Sequence, residues 1–198
     1  MVDASKNKAM IIILSSPSGG GKSSIATKLL SQNSNLLLSV SATTRQSRSG
    51  EEESIHYFFK GTKEFNEMID SGQFLEYAEI YDNLYGTPSD YVENMLAKGV
   101  DLLFDIDSQG AYQIMKKMLG RVVSIFILPP DIPTLRTRME ARNQDSMEVI
   151  EERIKLAKQE IAHAKNYDYT VINDDFDKAV AEIQEIINQE RAKRNLNV

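Results

Sequence analysis

Cysteine is absent from the 198 residues. That excludes disulfides, thiolate zinc sites and a catalytic thiol. Long apolar runs are missing as well, since no segment reaches the roughly 18 apolar residues that a membrane helix needs. The run Ala9 to Leu14 follows Lys6 and Lys8 but stops at Ser15-Ser16-Pro17. A secretory signal needs an apolar core of about 7–15 residues and then a small-residue cleavage site. Residues 1–8 therefore read as a loose polar tail, and the protein as cytoplasmic. Basic charge is in the minority: 23 Lys and Arg against 29 Asp and Glu leave a net charge of −6. Neither nucleic acid nor an anionic membrane is an expected partner of such a surface. Internal repeats and low-complexity tracts are lacking too. What remains is ordinary for a globular chain, with 41% hydrophobic and 26% charged residues. A single domain of this length buries about 70% of the surface its unfolded chain exposes.

The apolar pattern alternates between strand and helix. Met10 to Ser15, Val100 to Ile106 and Val122 to Leu128 are continuous runs suited to strands buried on both faces. Strand-like segments also occur at 36–40, 55–59, 74–81 and 169–172. Helical spacing is read at 22–32, 63–71, 88–98, 109–118 and 145–166, and in the C-terminal stripe Phe176, Val180, Ile183 and Ile187. For 145–166, Asp145 is the expected N-cap, with Glu148 three residues on and a stripe of Met147, Ile150, Ile154, Ala157 and Ile161. Such alternation predicts an α/β fold with a parallel sheet core flanked by helices. Two stretches break it. Residues 41–96 carry 4 basic and 11 acidic side chains with hairpin-like pieces, and residues 131–158 hold four of the nine arginines. Both are expected to be lobes inserted into the core.

Between the first strand and the first helix lies Ser16-Pro17-Ser18-Gly19-Gly20-Gly21-Lys22-Ser23-Ser24. This is nearly the phosphate-loop pattern G-x-x-x-x-G-K-S/T. Glycines let backbone N–H groups turn inward around an anion, and the helix adds its positive end. Lys22 reaches β- and γ-phosphates, and the Ser23 hydroxyl takes a place on Mg²⁺. Ser16 stands at the first glycine position and would be strained if its φ were positive. By itself the loop specifies only the phosphates of a nucleoside triphosphate.

Further blocks narrow the reading. They are Ser39-Val40-Ser41-Ala42-Thr43-Thr44-Arg45-Gln46-Ser47-Arg48, His56-Tyr57-Phe58-Phe59, Phe74-Leu75-Glu76, Tyr85-Gly86-Thr87, Asp105-Ile106-Asp107-Ser108-Gln109-Gly110, Ile125 to Pro130 and Val171-Ile172-Asn173-Asp174-Asp175. With the loop, and in this order from about Met10 to Glu190, the sequence resembles the guanylate kinase family. The resemblance implies ATP-dependent phosphorylation of GMP to GDP, and of dGMP to dGDP, with Mg²⁺ accompanying ATP. It implies a core at about 9–40, 97–130 and 167–198, an inserted mixed β/α GMP-binding lobe at 41–96 and a helical lid at 131–166. A monomer or homodimer is expected.

Guanine presents two neighbouring donors, N1–H and its 2-amino group, and a carboxylate offers two acceptors to match. By resemblance Glu76 is that carboxylate, and Ser41 and Thr87 hold the rest of the base. A solvent-facing strand glutamate is the plainer alternative for Glu76. The resemblance also implies that Arg45, Arg48, Tyr57 and Tyr85 clamp the GMP phosphate, where guanidinium forks suit phosphate oxygens. The plainer alternative pairs the arginines with Glu51–Glu53. Ser47 and Ser54 depart from the family's usual proline and glycine. Asp105 and Asp107 alternate along a strand and so point to opposite faces. The pair is implied to serve the GMP and metal sides, with the division open and a helix cap the alternative for Asp107. Arg138 and Arg142, four apart on one helix, and Arg153 on the next match lid arginines that gather around the transferring phosphoryl group. Asn143 replaces a frequent glycine after Arg142. Asn173 resembles a residue near the ATP base or ribose, with a turn-forming role as the alternative. His56 and His163 lack a catalytic partner pattern and read as structural. The rival functions are a kinase for another monophosphate or small alcohol, a non-catalytic interaction module, and a nucleic-acid-binding P-loop protein, the last opposed by the acidic charge. The base-reading set opposes the first, and the intact loop with its arginines opposes the second.

Overall fold

The structure, a computed structural model, describes residues 9–80, 82–141 and 146–196. The expected polar tail at 1–8, the expected lid arginine Arg142, Asn143 and the expected cap Asp145 lie outside the described residues.

Strand β1 (Ile11–Ser15) is buried along its whole length. Its β-branched run cannot face water on either side, so it takes the centre of a parallel sheet. β7 (Asp101–Asp105) pairs on one side and β8 (Val122–Leu128) on the other. β2 (Leu36–Leu38) and β9 (Tyr169–Ile172) complete the order β2-β7-β1-β8-β9. Period-two alternation sorts β1 between two cores. Met10, Ile12 and Leu14 join α1 (Lys22–Gln32) and α7 (Phe176–Leu196) through Ile25, Leu29, Val180, Ile183 and Ile187. Ile11 and Ile13 join α3 (Ser89–Ala97) and α4 (Ser108–Lys117) through Val92, Leu96, Ala111 and Ile114. Helices thus cover both faces, and the α/β expectation holds.

A second, mixed sheet has the order β4-β3-β6-β5. It consists of β3 (Ser41–Thr43), β4 (Tyr57–Phe59), β5 (Phe74–Ile80) and β6 (Asn83–Pro88). α2 (Thr62–Asp70) covers one face, where Phe65 stacks on Phe74 at 4.4 Å between centroids. Such a pair contributes about 0.5–1.5 kcal/mol beyond area burial. α5 (Ile132–Ala141) and α6 (Met147–Ile161) pack together through Leu135, Met139, Ile150, Ile154 and Ala157. Arg136 bridges the same two helices by pairing with Glu151 on both oxygens. No helix among the described residues is long and apolar enough to cross a membrane.

Several local expectations need correction. β6 is a strand despite Asn83, Gly86 and Pro88, because six residues of β5 pair with it; tertiary pairing overrides its turn-like composition. Val40 leaves the core sheet as the chain crosses to the second one, and Ile55 sits exposed in a turn. Ser146, not Asp145, caps α6 by accepting from the Val149 N–H. That helix tightens into a 3₁₀ turn over Ala162–Asn166, so it ends short of 166. Met147 and Phe176, placed on apolar stripes, are exposed first residues of their helices. Ser16 carries no positive φ, so the strain expected there is absent. Ser54 does, at φ 64°, which is the backbone reason a glycine suits its position.

Candidate functional site

The sheet order reverses at β1, whose neighbours β7 and β8 come much later in the chain. In open α/β sheets ligands bind at the carboxyl ends of strands at such a point. The glycine loop sits there. Gly19 and Gly21 have φ of 83° and 96°, values that L side chains rarely adopt. The loop bounds a hollow of about 350 Å³, lined by Ser16 to Ser24 with Asp107 and Glu160. Neighbouring elements hold it from outside. Leu135 and Met139 of α5 lie 3.0 and 3.3 Å from where a Gly19 Cβ would be. The buried Asn173 donates from Nδ2 to the Gly20 carbonyl at 2.8 Å. Its own backbone carbonyl accepts from Arg138 at 2.8 Å. Asn173, the residue after β9, is therefore a strut under the loop. A Gly21 Cβ would overlap Asn173 Nδ2. Gly21→Ala is expected to cost about 1–2 kcal/mol from its backbone alone, with a further penalty from that clash. The midpoint of denaturant unfolding and the KM for ATP check this, and both should worsen together.

Lys22 extends from the loop to Asp105 at 2.6 Å. The contact follows from register, because Asp105 pairs with Leu14 at the end of β1. Asp107 lies beyond the strand. It caps α4, accepting from the Gly110 N–H at 2.9 Å. The two aspartates therefore separate by hollow and not by strand face. Asp107 lines the loop hollow. Asp105 lines a second cavity of about 220 Å³ with Leu38, Ser39, Ser41, His56 and Tyr57. Ser23 and Asp107 in one hollow form an all-oxygen set that fits a hard cation such as Mg²⁺.

Four expected GMP residues form one row across the second sheet. Tyr57 pairs with Ser41. The Ser41 hydroxyl lies 3.3 Å from that of Thr87. Thr87 pairs with Glu76 and donates to its carboxylate at 2.6 Å. Paired positions share a face, so strands distant in sequence present one polar edge. Glu76 is only 7% exposed, which overturns the solvent-facing alternative. Burial raises its pKa above the ordinary carboxylate range, against the lowering effect of the Thr87 bond, and Asp107 adds to the rise.

Tyr85 lies two residues from Thr87 on that strand, its ring 6.1 Å from that of Tyr57. The Arg45 guanidinium lies 5.3 Å over the Tyr57 ring and forks onto both oxygens of Glu51 at 2.9 and 3.0 Å. That fork, with the Arg48 N–H, holds the Glu51 carboxyl down at about 2. The Arg45–Glu51 pairing is thus real, while the tyrosines are a half-buried pair rather than core. Arg48 is exposed, and only its backbone N–H joins this group. Arg153 stands partly buried on α6, one residue before Ile154. The histidines hold structural bonds: His56 Nδ1 accepts from the Glu52 N–H, and His163 Nδ1 meets the Tyr112 hydroxyl.

Sequence reasoning missed Gln113, Lys117 and Glu160. Gln113 makes two bonds to the backbone of Tyr77, next to Glu76 on the edge strand β5. Lys117 donates to the Phe74 carbonyl at 2.8 Å. Together they replace the missing neighbour strand and fix the segment carrying Glu76. Glu160 accepts from the Ser18 N–H at 3.3 Å. Polar residues on a helix carry no signal of such contacts before the helix is docked.

A sequence model described as "Guanylate kinase" matches residues 8–190. The chain is 55% identical over 188 residues to a guanylate kinase of Rickettsia felis, covering 95% of this chain and 97% of that one. It is 47% identical over 189 residues to a guanylate kinase of Wolbachia pipientis wMel, covering 96% and 94%. Its fold is similar to the crystal structure of guanylate kinase from Anaplasma phagocytophilum, with a TM-score of 0.70 and 38% identity over 92% of this chain and 86% of that one.

Proposed function

This chain belongs to the guanylate kinase family, and on that premise we propose how its residues work. It is an enzyme of that family, a kinase that phosphorylates GMP with ATP as donor. We read residues 41–96 as the acceptor lobe, 131–166 as the lid and 9–40, 97–130 and 167–198 as the core, with dGMP as a second acceptor.

In this reading the donor phosphates rest on the amides of Ser18 to Ser24, with Lys22 at the β- and γ-phosphates. Asn173 serves ATP through the loop it props. Mg²⁺ entering with ATP would be held by the Ser23 hydroxyl, with Asp107 acting through water, and supplies charge neutralisation at the phosphates. Glu76, Thr87 and Ser41 read the guanine edge. Arg45, Arg48, Tyr57 and Tyr85 take the acceptor phosphate, with Glu51 giving way as the Arg45 fork turns to it. Asp105 faces the acceptor from the other side.

Transfer is in-line. The nucleophile is already an anionic phosphate oxygen, so no side chain has to remove a proton. Positioning and charge neutralisation carry the rate. Arg138, Arg142 and Arg153 close on the equatorial oxygens when both nucleotides are present, which also excludes water. The observation that carries this reading is the Lys22–Asp105 contact, which joins the donor hollow to the acceptor cavity. ADP release, measured by a coupled assay with and without GMP, is expected to depend almost wholly on GMP. Equal release in its absence would make the protein a plain ATPase.

A further inference from the structure

Three of the groups read as binding phosphate face an internal carboxylate. Arg45 forks onto Glu51. Lys22 meets Asp105. The third case lies in the glycine loop, and the base-reading and lid assignments do not use it. Glu160 stands near the end of α6, the helix that carries Arg153. Its Oε2 accepts from the Ser18 N–H at 3.3 Å, and its side chain lines the same hollow as Gly19 to Ser24. An N–H of a phosphate loop is there to meet an anion. The anion at this N–H is the Glu160 carboxylate.

We infer that Glu160 is an internal competitor of the donor phosphates: it occupies the Ser18 amide in the nucleotide-free enzyme and must withdraw when ATP enters. The inference rests on the reading of the loop as the ATP site. Three features support it. Glu160 and the nucleotide phosphates carry the same sign of charge in one hollow, so both cannot rest there without repulsion. The carboxylate is poorly accommodated in place. Partial burial raises its pKa, the Ser18 bond opposes the rise, and the Asp107 charge adds to it. Finally, Glu160 lies on α6, the helix that carries Arg153 and packs on α5, so its carboxylate sits on the side of the hollow from which the lid is read to close. Glu160 is a positioning residue that sets donor affinity.

The test is calorimetric titration of the full chain with Mg-ATP, and separately with GMP, in the unmutated protein, Glu160→Gln and Glu160→Ala. Glutamine keeps the shape and an acceptor oxygen but loses the charge. Both variants are expected to bind ATP about 5- to 10-fold tighter, the scale of one partly screened charge repulsion, with GMP affinity unchanged. A gain separates this role from a structural one, since loss of a mere prop weakens binding. Equal or weaker ATP binding in both variants overturns the inference. Should a variant fold poorly by thermal melting, the unmutated chain still decides: its Ser18 amide NMR resonance should move on saturation with ATP and stay put with GMP. A resonance that ignores ATP while calorimetry shows ATP bound overturns the inference and takes Ser18 out of the donor site, while GMP-dependent ADP release still decides the kinase reading. Absence of ATP binding by the unmutated chain would instead overturn the loop assignment itself.

Discussion

Glu76→Gln is expected to lower kcat/KM for GMP by about two orders of magnitude, and to close most of the gap between GMP and AMP. A hydrogen bond to a charged group contributes about 1.5–3 kcal/mol, and an unpaired buried donor costs a similar amount. Glutamine presents one acceptor and one donor where guanine offers two donors, so one pairing turns into a clash of N–H groups. Sites built to hydrogen-bond a ligand reject analogues by about 10⁴–10⁵, so the selectivity available to lose is large. The unliganded fold should not suffer. Burial raises the Glu76 pKa, so the folded state holds its proton to higher pH than the unfolded chain, whose value is about 4.3. Stability contributed by this group therefore falls as pH rises from that value through the raised folded one. Glutamine escapes the loss. Urea melts should show the variant gaining on the unmutated protein between pH 4 and pH 7, while steady-state kinetics with GMP and AMP show selectivity collapsing. Retained GMP preference would remove Glu76 from the base site.

The second large effect is expected at the loop. Lys22→Met should reduce kcat by about 10³-fold, the upper scale for losing one preorganised charge-stabilising donor. Methionine keeps the stem but removes the ammonium. It also leaves Asp105, now 2.6 Å from its cation, as an uncompensated negative charge between two anionic nucleotides. ATP and GMP binding should therefore weaken along with the chemical step. Adding Asp105→Asn to Lys22→Met separates the two losses. Binding should recover in part, and single-turnover phosphoryl transfer should stay slow. A single variant with kcat within tenfold of the unmutated enzyme would sink the assignment.

The contrast between the two sites shows what was legible in the chain. The phosphate loop lies within nine consecutive residues, Ser16 to Ser24, between a buried strand and an amphipathic helix. Its chemistry is local, so its spacing announced it. The expected acceptor row is spread over residues 41, 57, 76 and 87. Only the resemblance to a family brought those four together before the structure did. Glu76 alone reads as a surface glutamate, because nothing local reveals that β6 will lie beside it and Lys117 and Gln113 behind its strand.

Periodicity and turn chemistry dictated the helices, the buried strands, the alternation that makes a parallel sheet and the anion cradle, since each depends on neighbours within a few positions. Burial of Glu76, the Lys22–Asp105 bridge, the parting of Asp105 from Asp107 and the arrival of Glu160 at Ser18 depend on segments up to 142 residues apart. Such contacts follow from sheet register and helix docking. Those are settled by how the whole chain shares out its apolar surface, and no short window of residues records that balance.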